Sequence, residues 1–122
     1  MAATVRESGS TARLSQLRLL LVEDNPADAD LITDYLEHVP GYDLSILRAN
    51  SLREAIDACG RDAPDAVLLD LNLPDSSGPD TVQVLRRHVP CLPIVVLTGI
   101  ADQQLRRQAI DHGAYELLAK DD

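Results

Sequence analysis

Residues 66–78 read AVLLDLNLPDSSG. Four apolar residues run without a break into Asp70, and the turn formers Asn72, Pro74, Asp75, Ser76, Ser77 and Gly78 follow. A short, continuous apolar run bounded by turn residues is the pattern of a strand buried on both faces, as in a parallel sheet. Three further stretches share it: LRLLLVEDN at 17–25, PIVVLTG at 93–99 and YELLAKDD at 115–122. They lead into Glu23 and Asp24, into Thr98, and into Lys120, the one lysine of the chain.

Between these runs the spacing predicts helices. Asn25-Pro26 supplies a capping side chain followed by proline at the first helical position. Leu31, Ile32, Tyr35, Leu36 and Val39 form the helical stripe, and Pro40-Gly41 stops it. Tyr42, Leu44 and Ile46 alternate as in a short second strand. Ser51 and Glu54 form a capping box ahead of Leu52, Ala55, Ile56 and Cys59. The third strand spans residues 66–69, with Asp70 at its carboxyl end. A third helix runs over about 79–88, a fourth strand over 94–97, and a fourth helix from an Asp102 cap to about 112, closed by Gly113. Residues 115–119 read as a fifth strand.

Strict alternation of strand and helix, joined by right-handed crossovers, gives an α/β fold: an open, doubly wound parallel sheet with helices on both faces. In such sheets ligands bind beyond the carboxyl ends of the strands, where the strand order reverses. All four polar clusters lie at carboxyl ends, so one crevice can collect them.

The 122 residues suit one domain with a core of its own. Residues 1–16 are polar and read as a disordered leader, and 17–122 as the domain. Cys59 and Cys91 lack metal-ligand spacing and a signal peptide, so reduced thiols and a cytoplasmic location are expected. No apolar run is long enough to cross a membrane. The net charge of -9 disfavours contact with nucleic acid.

The chemistry that suits these residue types is phosphoryl transfer. A carboxylate such as Asp70 can attack a phosphoryl donor and form an acyl phosphate. The reaction brings an anion towards several carboxylates and needs positive charge, which Mg²⁺ held by Glu23 and Asp24 with Asp70, together with Lys120, can supply. Thr98 can donate a hydrogen bond to a phosphoryl oxygen. Taken singly each residue has a plainer reading: a turn former, a solvated acidic pair, a turn, a surface lysine. Their shared placement makes the case.

In VEDN, LLDLNLPDSSG, VVLTG and ELLAKDD the chain resembles the receiver domain of two-component response regulators. The resemblance implies a flavodoxin-like receiver fold with strand order 2-1-3-4-5 and Asp70 as the phosphoacceptor. Asp24, Asp70 and the backbone carbonyl of Asn72 would be direct Mg²⁺ ligands, Glu23 would act through metal-bound water, and Thr98 and Lys120 would contact the phosphoryl group. A sensor histidine kinase or phosphotransfer protein would be the donor, and an output domain or partner outside this chain, or a homodimer, the receiver of the signal. Such a domain is a switch and not an enzyme in the ordinary sense, since it catalyses only its own modification and dephosphorylation. Asn72 and Ile100 stand where the family tunes phosphoryl lifetime.

Three departures follow. The position three before the lysine is Leu117, not an aromatic residue, and Tyr115 lies on the same strand face. Asp121 replaces the usual proline, so a trans Lys120–Asp121 bond is expected. The chain stops before the family's fifth helix, which suggests a fragment with an uncovered apolar sheet face beside the first helix. A phosphorylation-independent interaction module of receiver fold is the alternative. An aspartate-nucleophile phosphatase is disfavoured because Asp70 follows the third strand, and flavin binding because the first loop lacks glycines. His38, His88 and His112 are expected at helix ends, Arg86-Arg87 and Arg106-Arg107 on solvated helix faces, with partner docking open to the second pair, and Cys59 in the core.

Overall fold

The computed structural model describes residues 15–100 and 102–120. In chain order these form β1 (Ser15–Val22), α1 (Pro26–Glu37), β2 (Tyr42–Ala49), α2 (Leu52–Asp62), β3 (Ala66–Asp70), α3 (Asp80–His88), β4 (Ile94–Thr98), α4 (Gln103–Asp111) and β5 (Glu116–Ala119). The five strands make one parallel sheet in the order β2-β1-β3-β4-β5, as expected. The chain order reverses across β1, so β1 and β3 flank the switch point. Strand β1 opens at Ser15, inside the stretch read as leader; residues 1–14, and the bond to Asp121, lie outside the described residues. Strand β2 pairs with β1 along eight residues, longer than its alternation suggested.

Alternation along the strands sends side chains to two cores. Leu20, Val22, Val67, Leu69, Val96 and Leu117 pack beneath α2, α3 and α4 in the larger one. Leu21 and Leu97 meet Ala29 of α1 in the smaller one, with Ile32, Ile46 and Leu68. The expected apolar stripe of α1 is partly wrong. Ala29 is buried and Ile32 and Leu36 are partly so, but Leu31 and Tyr35 are 71% and 76% exposed. Five apolar residues span a wider arc than one helix can press against a sheet, and Leu31 and Tyr35 fall on its outer side. Leu118, facing the α1 side from β5, is half exposed.

The caps follow the sequence closely. Asn25 Oδ1 accepts from Asp28 N–H, Ser51 Oγ from Glu54 N–H, and Asp102 Oδ1 from Leu105 N–H. The returning arm of the α2 box is shifted, since Glu54 accepts from Asn50 N–H rather than from the Ser51 amide. His38, His88 and His112 do lie at helix ends, each with Nδ1 beside the carbonyl four residues back.

The loop after β3 is more ordered than its turn composition suggests. Asn72–Leu73 and Ser76–Ser77 form a small antiparallel hairpin. Asp75 pins it to α2 by accepting from the amides of Leu52 and Arg53.

Arg86 is a correction. Arg87 is solvated, but the Arg86 guanidinium is partly buried and donates to the carbonyls of Val89, Leu92 and, twice, Gly113. It ties the end of α3 to the turn leading into β5. Gly113 has φ +115, a conformation that favours glycine, and a Cβ there would lie 3.0 Å from Arg86 Nε, so a larger residue would also press on the Arg86 side chain. Arg86→Ala leaves three carbonyls short of a donor and is expected to cost about 2 kcal/mol, read as a shift in the urea unfolding midpoint.

Candidate functional site

The carboxyl ends of β1, β3 and β4 and the turn after β5 surround a cleft of about 860 Å³. Glu23, Asp24, Asp70, Asn72, Thr98 and Lys120 all line it, so every candidate read from the sequence reaches one place. The parallel register is the reason: Val22 is level with Leu69, Asp70 with Leu97, and Thr98 with Ala119. Residues that follow the strands therefore emerge side by side.

Glu23 and Asp70 are buried, at 3% and 5% exposure, whereas Asp24 is exposed. One carboxylate oxygen from each of the three lies within 4.8 Å of the others. Lys120 bridges Glu23 and Asp70. Its ammonium donates to Glu23 Oε1 at 2.7 Å and lies 3.6 Å from Asp70 Oδ1. It also reaches Asp28 Oδ2 at 3.3 Å, a partner absent from the sequence reading. The second oxygen of Glu23 accepts from the Asn25 amide at 3.2 Å, so both of its oxygens are engaged.

The cluster shifts protonation. Burial, then the Glu23 charge, push the Asp70 carboxyl up to about 6, while Lys120 and the Asn72 amide act the other way. Burial alone would pull Lys120 down, but its hydrogen bond to Glu23 and the charges of Asp70 and Glu23 outweigh that and hold it above its ordinary value. Asp70 is thus a carboxylate poised near neutrality beside a fixed cation.

Thr98 is in the cleft wall, but its hydroxyl closes a local turn with the carbonyl and amide of Ile100, at 3.3 and 3.4 Å. Among the described residues it bonds to none of the carboxylates. Ile100 lines the mouth and is 75% exposed. Leu117 is buried in the larger core, whereas Tyr115 is 77% exposed and precedes β5, so it does not take an aromatic's place in the core. Arg106 is exposed yet paired, its guanidinium forked onto both oxygens of Glu116 at 2.6 and 2.8 Å, which fastens α4 to β5. Cys59 packs against the core and Cys91 is exposed.

An all-oxygen set of three carboxylates suits a hard divalent cation better than a soft one, and Asn72 lines the cleft beside them. No described helix is long and apolar enough to cross a membrane.

Comparison with known proteins agrees with this architecture. The family model described as response regulator receiver domain matches residues 19–122. Regulatory protein LuxO of Vibrio cholerae is 36% identical over 100 residues, covering 82% of this chain and 21% of LuxO. The chain thus spans about a fifth of that relative's length. Among solved structures, the signal receiver domain of a LuxO repressor protein from Vibrio parahaemolyticus superposes with TM-score 0.75 at 30% identity, covering 88% of this chain and 80% of that one. A response regulator protein from Burkholderia pseudomallei, described with a phosphorylated aspartic acid, a calcium ion and citrate, superposes with TM-score 0.73 at 30% identity, covering 87% and 61%.

Proposed function

This chain belongs to the response regulator receiver domain family, and on that premise we propose that Asp70 is its phosphoacceptor, in a Mg²⁺-dependent transfer from a sensor histidine kinase or phosphotransfer protein that switches an output outside the chain. One observation carries the assignment: Asp70 is buried at the switch point, 3.6 Å from the Lys120 ammonium and clustered with Glu23 and Asp24. The phosphorylated aspartic acid and calcium ion described for the Burkholderia relative support the same pairing of acceptor and divalent cation.

In this reading an Asp70 carboxylate oxygen attacks the phosphorus of a phosphohistidine. The new P–O bond forms as the P–N bond breaks, and the departing imidazole takes a proton from solvent. Lys120 leaves its carboxylate partners to hold a phosphoryl oxygen and offset the gathering charge. Thr98 turns its hydroxyl from Ile100 to a second oxygen. Asp24, Asp70 and the Asn72 carbonyl would hold Mg²⁺ directly. Glu23, whose oxygens are engaged by Lys120 and the Asn25 amide, would act through a water ligand. The bound ion supplies charge that lets an anionic donor approach three carboxylates.

The test is the intact mass of the protein after incubation with acetyl phosphate, with and without Mg²⁺. One phosphoryl adduct is expected on the wild type with Mg²⁺, and none on Asp70→Asn. An adduct that survives in Asp70→Asn would overturn the assignment. A second reading, a receiver fold that binds its partner without phosphorylation, draws on Leu117. Its buried side chain fills the core where an aromatic could change rotamer. An adduct that leaves the α4–β5 surface unchanged in amide exchange would favour that reading.

A further inference from the structure

Among the described residues, Asp28 is the one whose side chain reaches the Lys120 ammonium without belonging to the acidic triad. It stands at the third position of α1, where an acid would ordinarily serve the helix N-terminus by bonding back to the cap residue's amide. Here that amide, of Asn25, is taken by Glu23 Oε2. Asp28 Oδ2 instead lies 3.3 Å from Lys120 Nζ, closer than the 3.6 Å to Asp70 Oδ1. Its side chain is 43% exposed at the cleft rim, while that of Lys120 is 17% exposed.

We propose that Asp28 competes with Asp70 for the Lys120 ammonium and so limits the rate at which the site accepts a phosphoryl group. The inference rests on the phosphoacceptor reading above. A phosphoryl group arriving at Asp70 needs the Lys120 ammonium, which Glu23 and Asp28 also hold, at 2.7 and 3.3 Å. Glu23 is buried and also anchored by the Asn25 amide, so it is part of the permanent frame. Asp28, at the rim on a single rotatable arm, is the partner that Lys120 can release. Asp28 is a positioning residue: it acts on the reaction through Lys120.

Asp28→Asn keeps the size of the side chain and removes its charge. A rate of phosphorylation by acetyl phosphate about 2- to 5-fold above wild type is expected at saturating Mg²⁺, the range for loss of one partly exposed ion pair. Asp30→Asn is the charge control. It sits on the same helix, exposed, with its carboxylate on Arg48 at 2.9 Å. Because Lys120 is the one lysine, ¹⁵N-lysine labelling yields a single side-chain ammonium resonance, readable without any phosphodonor. Asp28→Asn should move that resonance and Asp30→Asn should not. An unchanged or slower rate in Asp28→Asn, equal acceleration in Asp30→Asn, or an unmoved ammonium resonance would each overturn the proposal. A wild type that takes up no phosphoryl group would instead overturn the phosphoacceptor reading and the rate role with it, and the resonance would still decide whether Asp28 holds Lys120.

Discussion

Lys120→Ala is expected to lower stability by about 3 kcal/mol at neutral pH without metal, the low end of the range for stripping one partner from a buried ion pair. Among the described residues Lys120 is the only cation paired with Glu23 or Asp70, whose side chains are 1% and 7% exposed. Without it two buried carboxylates and the neighbouring Asp24 face one another uncompensated. The loss stays at the low end because Asp70, already raised to about 6, can take a proton. Urea unfolding at pH 7 in a chelator measures the effect. Added Mg²⁺ should restore much of it, since the ion would replace the missing charge. A loss below about 1 kcal/mol would mean that solvent already screens the cluster as it does a surface pair.

Asp70→Asn is expected to act in the opposite direction, and its effect should depend on pH. The ordinary carboxyl value is 3.8, and in the folded chain burial and Glu23 raise it to about 6. Below about 4 folded and unfolded chains both hold the proton, and Asp70 makes no difference. Between about 4 and 6 the unfolded chain releases its proton while the folded chain keeps it, so the wild type loses stability as pH rises. Above about 6 the loss is complete. A displacement of that size corresponds to at most about 3 kcal/mol, which solvent in the open cleft should reduce to about 1–2 kcal/mol. Asp70→Asn should therefore exceed the wild type in melting temperature at pH 8 and lose that advantage at pH 4. Equal melting temperatures at pH 8 would show that Lys120 already neutralises Asp70. The substitution that removes the proposed acceptor would thus relieve strain, the buried carboxylate being held at a cost in stability.

Much of this was legible in the residues. Strands buried on both faces must be apolar throughout, so LRLLLV, AVLL, PIVVL and ELLA stand out, and the polar residue ending each run marks its carboxyl end. Asn25, Ser51 and Asp102 announced their helices because a cap acts within three residues. The acidic pair, Asp70, Thr98 and Lys120 could be gathered because strict strand–helix alternation leaves few topologies.

What escaped has one common feature. Arg86 and Arg87 look alike in sequence, yet only Arg86 meets Gly113, 27 residues away. Asp28 reads as an ordinary acid in a first helical turn, and only its distance from Lys120, 92 residues on, makes it a partner of the site. Leu31 and Tyr35 fit the helical period but lie outside the arc that the sheet covers. The orientation of the Thr98 hydroxyl and the burial of Leu117 beside an exposed Tyr115 likewise depend on neighbours from other elements. The sequence by itself determined the elements, their order and the end of the sheet where chemistry is placed, since periodicity, capping and handedness act over a few residues or through simple topology. Tertiary structure alone decided which charges are buried, which are paired and which residue holds Lys120, because Coulomb and packing energies depend on distances between elements that no local pattern records.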